Sequence, residues 1–428
     1  MSAAPDEPTP AARPEITEAG GTSSTPAPAI SKAMRRTQWV TFLSYFWPGL
    51  VFSAWMSRLP AVRDALDLTA SQLGRIMFVA SLGSIAMLPI AGAVTARIGV
   101  RRAVFLFYPL IALGYAAAAG LTVAGTMVAV ASALFVVNIG FGLYDVAVNV
   151  HGANVDRASG EERMPQFHGG FSLGTVTGAG LGALASALHV PIHWHVGVLG
   201  ALTVPAVWIS LRWFLPDAPT RGAKSTAQRS YPRYSSARAW RERRTWALGV
   251  VLLGIALTEG AAADWLALAS IEAFGISNAW AAVGYGIFVV GMTSVRFAGT
   301  ALVARVGRVW ALRLSFALAL AGVSVFVLSP WVPLAFVAAL AWGAGSALGF
   351  PLALAAAGDD PMKAAATISA VSTLGYGAFL VGPPLMGELA EHIGYRPTLA
   401  VLALPVAIGL FFSGAARPLP AASPRGSD

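Results

Sequence analysis

Along this chain, long apolar stretches alternate with short clusters of basic and turn-forming residues from about Arg35 to Arg417. A bilayer core about 30 Å thick needs about 20 apolar residues for each crossing helix. That ruler predicts helices at about 38–57, 71–96, 102–122, 125–149, 166–188 and 192–214. It predicts six more at about 246–270, 278–304, 309–329, 331–356, 364–389 and 396–415. The tightest connections fall at Gly120–Gly125 and Ser329–Trp331. The expected fold class is an all-α membrane protein with twelve transmembrane helices.

The pattern also repeats. Arg-Arg-Thr-Gln-Trp at Arg35–Trp39 returns as Arg-Arg-Thr-Trp at Arg243–Trp246, and Ala93–Gly99 returns as Ala301–Gly307 at the same offset. Gly74 and Phe78 are matched by Gly284 and Phe288, and Ser172–Gly174 by Thr373–Gly375. Several matches in order, in corresponding helices, predict two pseudo-symmetric six-helix bundles related by an axis along the membrane normal. The expected organisation is a disordered tail at 1–34, a first bundle at 35–214 and a linker at 215–244. A second bundle at 245–415 and a tail at 416–428 complete it.

Composition agrees with this reading. Of 428 residues, 56% are hydrophobic and 11% charged, with mean hydropathy +0.66; a soluble chain carries about 25% charged residues. The formal charge of +9 points to basic loops rather than to nucleic acid. Arg35, Arg36, Arg97, Arg101, Arg102, Arg157, Arg163, Arg305, Arg308 and the basic run between Arg212 and Arg244 fall on one predicted face. By the positive-inside rule that face, with both termini, is cytoplasmic, and the protein is expected in the inner membrane. No cysteine is present, so disulfides and thiol chemistry are excluded. His189, His193 and His195 cluster in a loop with no nearby acid and are expected to hold no metal.

A few ionisable groups interrupt the apolar runs. Asp145 ends a run that begins near Leu121, with Asn149 one helical turn on; Glu259 and Asp264 lie in the seventh span and Arg296 in the eighth. An ionised carboxylate at the bilayer centre costs about 2.5–3.5 kcal/mol on insertion scales. Such groups are expected to face a watery cavity or a partner, which makes Glu259, Asp145 and Asp264 the candidate proton-coupling residues. The five-residue step from Glu259 to Asp264 turns them about 140° apart on the helix, so they do not share one narrow face. Arg296 needs an acid such as Glu259 or Asp145, or it binds an anionic group of a solute. Arg58, three residues after Trp55, ends the first span on the outer side as a guard of the mouth or a headgroup anchor. Gly170, Gly174, Gly178 and Gly182 put four small residues on one face of the fifth span, for close packing or for sliding.

The segment Gly92-Ala-Val-Thr-Ala-Arg97-Ile-Gly99-Val-Arg101-Arg102 resembles the Gly-x-x-x-Asp-Arg-x-Gly-x-Arg-Arg signature of major facilitator superfamily transporters, with Ala96 in place of the acid. The resemblance covers roughly residues 35–415. It implies a major facilitator fold in which Gly92, Arg97, Gly99, Arg101 and Arg102 form a gating loop that latches the two halves. Asp145-Val-Ala-Val-Asn149 is similar to Glu-Thr-Ala-Ala-Asn in the fourth helix of fucose/proton symporters, and Trp55-Met-Ser-Arg58-Leu-Pro60 resembles a bacterial branch near that group. By that resemblance Asn149, Trp55, Tyr144 and Trp265 are solute-contacting candidates, and Arg58 and Arg296 join them by their charge and position.

No phosphate-binding loop, serine-nucleophile elbow or zinc-protease motif is present in the sequence. The expectation is therefore a transporter rather than an enzyme, with no cofactor. It would be a secondary active carrier, a monomer in the lipid bilayer, moving a small solute (sugar-like or another small organic molecule) by proton-coupled symport. The competing expectations are proton-coupled efflux of amphiphilic compounds and a non-transporting receptor of the same fold.

Overall fold

The computed structural model describes residues 31–161, 163–216, 236–360 and 362–419. The tails expected at 1–34 and 416–428 and the linker at 215–244 lie largely outside the described residues. In the first half the helices are α1 Lys32–Met56, α2 Leu59–Leu66, α3 Ala70–Ile98, α4 Val100–Val123, α5 Met127–Ser159, α6 Met164–Ala187 and α7 Ile192–Ser210. A single turn, α8 Ser236–Ala239, precedes the second half. There follow α9 Arg243–Phe274, α10 Asn278–Val306, α11 Arg308–Leu328, α12 Val332–Ser346, α13 Gly349–Ala357, α14 Ala364–Ile393, α15 Tyr395–Ala400 and α16 Ala403–Phe412.

Among the described residues, ten spans are long and apolar enough to cross a membrane, α12 with α13 and α15 with α16 each counting as one. Helices α1 and α6, 25 and 24 residues long, have the length and miss the same apolar standard. They are consistent with the two remaining spans expected from the sequence.

Two spans predicted as single helices are broken, and a proline explains each break. Pro351 has no N–H to offer the Ala347 carbonyl four residues earlier, and the backbone restarts as α13. Pro405 does the same to Val401 between α15 and α16. The repeat seen in the sequence has a structural counterpart. Gly99 between α3 and α4 has φ 84°, and Gly307 between α10 and α11 has φ 78°. This left-handed turn suits glycine because a Cβ would clash there. A third copy stands at Gly394, φ 85°, between α14 and α15.

Each half packs as its own bundle, α1 on α6 and α3 on α5 in the first, α9 on α14 and α10 on α12 in the second. The halves meet where α3 touches α14 and α6 touches α10. The four-glycine face of α6 lies against α1, inside the first half. A Cβ at Gly170 would stand 2.6 Å from the Phe42 carbonyl oxygen, and one at Gly178 would stand 2.9 Å from the Ala54 nitrogen. The face is therefore fixed packing, and the surface α6 turns to the second half is carried by Gly169 against Phe297 and Ala179 against Gly286. Gly178→Leu is expected to yield aggregated protein in size-exclusion chromatography, because neither backbone can retreat. Gly180→Leu, where a Cβ meets nothing within 4 Å, is expected to elute like the parent.

Candidate functional site

The two faces of the molecule differ. On the face away from the chain ends, the halves are joined. The Ser71 amide donates to Glu391 at 3.2 Å and the Ser71 hydroxyl donates to Glu388 at 2.8 Å. Both acids belong to the last turns of α14, and Ser71 is in the first turn of α3, where free amides and the helix dipole favour a negative charge. Below them the backbones of Gly74 and Gly387 close together, and Asn278 donates to Asp64 at 3.4 Å. Among the described residues, every hydrogen bond between the halves lies at this end. Near the chain termini, the ion pairs among the described residues stay within a half: Arg163 with Glu161 in the first, and Arg244 and Arg308 with Asp359 in the second.

Between the halves, deep in the helices, polar side chains reach water-accessible surface. Asp145 is exposed although it lies on the fourth span, and His168 of α6 and Tyr376 of α14 are exposed too. With the halves bonded at one end and these polar side chains exposed between them, we infer a cavity sealed on one face and open to the other. On its first-half wall, the Tyr45 hydroxyl donates to Asn149 Oδ1 at 3.1 Å. The Asn149 amide donates in turn to Asp145 Oδ1 at 3.0 Å and to its own backbone partner, the Asp145 carbonyl, at 2.8 Å. The helical four-residue step brings these two side chains onto one face. His168 stands edge-on to the Tyr45 ring, 5.0 Å between centroids. Tyr376 is near enough to feel the Asp145 charge from the opposite half.

On the second-half wall, Arg296 donates to Glu259 at 3.0 Å, both side chains about a quarter exposed. Its Nε points at the Ala347 carbonyl, 3.5 Å away, the group that Pro351 leaves without a helical donor. The broken helix thus supplies an acceptor for a cation deep in the membrane, and Arg296 has both an acid and a carbonyl. The Arg296 charge also reaches His168 across the interface.

Asp264 is set apart from this group. Among the described residues no hydrogen bond or ion pair reaches it. It borders a crevice between α9 and α14, lined by Ala261, Trp265, Phe379, Gly382 and Pro383, with room for about one water. Pro383 continues directly into the seal, where its carbonyl faces Gly74. Near the same level the Tyr285 hydroxyl faces Ser53 of the first half without closing a hydrogen bond of good geometry.

Of the six residues expected to touch solute, Asn149 and Arg296 stand at the cavity. The other four are packed away from it. Trp55 is buried against Tyr115, Tyr144 donates to the Ser44 carbonyl at 2.7 Å, and Trp265 stacks on Tyr395. Arg58 is buried within the first half and donates to the Val190 carbonyl at 2.8 Å. In the predicted gating loop, Gly92, Arg97 and Arg102 are exposed, Gly99 makes the left-handed turn, and the Arg101 guanidinium donates to the Phe214 carbonyl. Sequence reasoning missed His168. Its signal was a polar ring in a Gly-rich helix, on the side opposite the apolar Leu173.

A model of the Major Facilitator Superfamily matches residues 2–163 and 164–378. The chain belongs to this superfamily. An uncharacterized transporter of Sinorhizobium fredii, y4wD, is 30% identical over 366 residues, 84% of this chain and 93% of the relative. A bacterial homologue of the lysosomal transporter Spinster, inward-facing, has TM-score 0.71 at 13% identity, covering 91% of this chain and 98% of the other. FucP, a fucose:proton symporter of E. coli, has TM-score 0.63 in its outward conformation at 16% identity, covering 90% and 99%. As a Major Facilitator Superfamily member the chain is a multi-pass membrane transporter of small solutes and not an enzyme.

The seal makes a direct prediction for this superfamily member. Replacing Glu388 and Glu391 together by Gln removes the negative charge at the α3 N-terminus and is expected to favour opening at that end. A cysteine at Ser53→Cys, alone in a cysteine-free chain, is then expected to react about three- to tenfold faster with an impermeant maleimide from that side. Equal rates would assign the seal to the glycine contact alone.

Proposed function

We propose that this transporter is a proton-coupled symporter that brings a small, sugar-like solute through the cytoplasmic membrane. The observation that carries this reading is a pair of carboxyls within the spans, Asp145 and Asp264, to which no cation pairs among the described residues. A transporter needs a ligand that favours one of its two states over the other. A proton on an unpaired carboxyl meets that condition without stranding a cation. Glu259 does not, because neutralising it leaves Arg296 without its acid.

In this reading the basic loops hold both termini in the cytoplasm, and the seal between α3 and α14 faces outward. The solute binds near the midplane among Asn149, His168 and Tyr376, with Asp145 and the buried Tyr45 orienting Asn149. The rings and paired polar groups suit a hydroxylated, partly flat molecule. Alternation then rocks one half against the other across α6 and α10, with the loop around Gly99 at the inner end of the moving surface. The likeness of Asp145 to Asn149 to the fucose/proton segment supports symport over efflux.

The test is uptake into proteoliposomes from a library of sugars and polyols, with and without an inward pH gradient. Accumulation that appears with the gradient and vanishes with a protonophore is expected. If no solute moves in either condition, the reading fails.

A further inference from the structure

A groove of about 560 Å³ lies between α1, α6 and α10 at the level of the chain termini. Gln166 and Phe167 of α6 line it, while His168 meets the Tyr45 ring instead. Its walls are aromatic: Trp39 and Phe42 from α1, and Phe297 from α10. Trp39 is 66% and Phe297 59% exposed, a large apolar commitment for side chains at the edge of a membrane. Its rim is basic. Arg35 and Arg163 both line it, and both charges act on a single acid, Glu161. The hydrogen bond from Arg163 at 2.5 Å, with a second from Gln38 at 2.9 Å, holds that carboxyl below the usual carboxylate range, so it stays ionised. Among the described residues, two guanidiniums against one carboxylate leave the rim with a net positive charge.

We propose that this groove binds one anionic phospholipid, its phosphate between Arg35 and Arg163 and its acyl chains against Trp39, Phe42 and Phe297. The proposal rests on the cytoplasmic placement of this face argued above, where anionic lipid headgroups lie at the depth of the arginines. Planar guanidiniums suit phosphate oxygens, and aromatic rings at the headgroup boundary suit the first methylenes of the chains. The groove also bridges the halves. Phe297 is its one lining residue from the second half, and it packs over Gly169 on the surface across which α6 and α10 move. A lipid that fills the groove in this state favours this state, so occupancy is a regulator of the transport cycle.

The experiment uses the purified full chain, stripped of lipid in detergent, with phosphatidylglycerol or phosphatidylcholine added and bound lipid counted by native mass spectrometry. One phosphatidylglycerol is expected to remain bound where phosphatidylcholine does not, and to leave as salt is raised. Each arginine contributes about fivefold, so Arg35→Gln with Arg163→Gln is expected to weaken binding about 25-fold. Arg35→Lys alone is expected to retain most of it. A thermal melt of each variant without lipid separates lost binding from lost folding, and Arg35→Gln alone, which leaves the Arg163 pair intact, serves if the double variant does not fold. Equal retention of the two lipids, undiminished binding by a folded variant, or equal stabilisation by inorganic phosphate would overturn the proposal. Lipid counting needs no solute, so a failed uptake assay and a failed lipid assay are distinct results.

Discussion

Asp264→Asn protein is expected to equilibrate its solute and to concentrate none. The asparagine amide copies the shape of a protonated carboxyl and cannot lose the proton, so the variant holds one charge state through the whole cycle. Net accumulation requires the proton to be taken up on one side and released on the other; exchange of labelled for unlabelled solute does not. With one proton per solute, a pH gradient of about one unit supports about tenfold accumulation in the parent. The variant is expected at about onefold, with counterflow near the parental rate. The position of Asp264 explains why its charge would matter. It borders the crevice beside Pro383, and the Pro383 carbonyl meets Gly74 in the seal between α3 and α14. Asp145→Asn is expected to differ by losing counterflow as well, since Asp145 orients Asn149 on the cavity wall. Parental accumulation by Asp264→Asn would move the proton to Asp145.

Much of the fold was legible because hydrocarbon thickness sets a length that the chain either meets or does not. The spans, the turn at Gly99 and its copy at Gly307 follow from apolar length and from the repeated Ala-Arg-x-Gly. The breaks at Pro351 and Pro405 were present as residues and invisible to the same ruler, since hydropathy does not count backbone donors. The site was harder. A soluble helix has an inside and an outside, whereas a membrane helix chooses among lipid, protein and water. Periodicity marks a distinct face without saying which of the three it meets. Trp55, Tyr144 and Trp265 carry polar edges that suit a cavity as well as a packed bundle, and they went to the bundle. Charged groups were easier, because their desolvation admits few placements. Glu259 and Arg296 each needed a partner, and each is where the other can reach it.

That pair supplies the second large effect. Arg296→Ala is expected to be poorly folded, because it leaves Glu259 ionised in the membrane interior with no cation. Breaking a fully buried pair costs about 3–5 kcal/mol. With side chains 28% and 24% exposed, water screens part of that, and about 1–3 kcal/mol is expected. Adding Glu259→Gln is expected to recover most of the lost melting temperature, since no charge is then stranded. If the double variant melts as low as Arg296→Ala, the pair is not what Arg296 contributes. Recovery is expected to stop short of the parent for a reason visible in the backbone. Arg296 also serves the Ala347 carbonyl, and Pro351 leaves that carbonyl without a donor of its own. A third change, Pro351→Ala, returns an N–H four residues after Ala347 and is expected to restore the remainder by joining α12 to α13. The same change in the parent has no such deficit to fill. A gain in melting temperature confined to the background lacking Arg296 would show that the arginine and the proline answer one another.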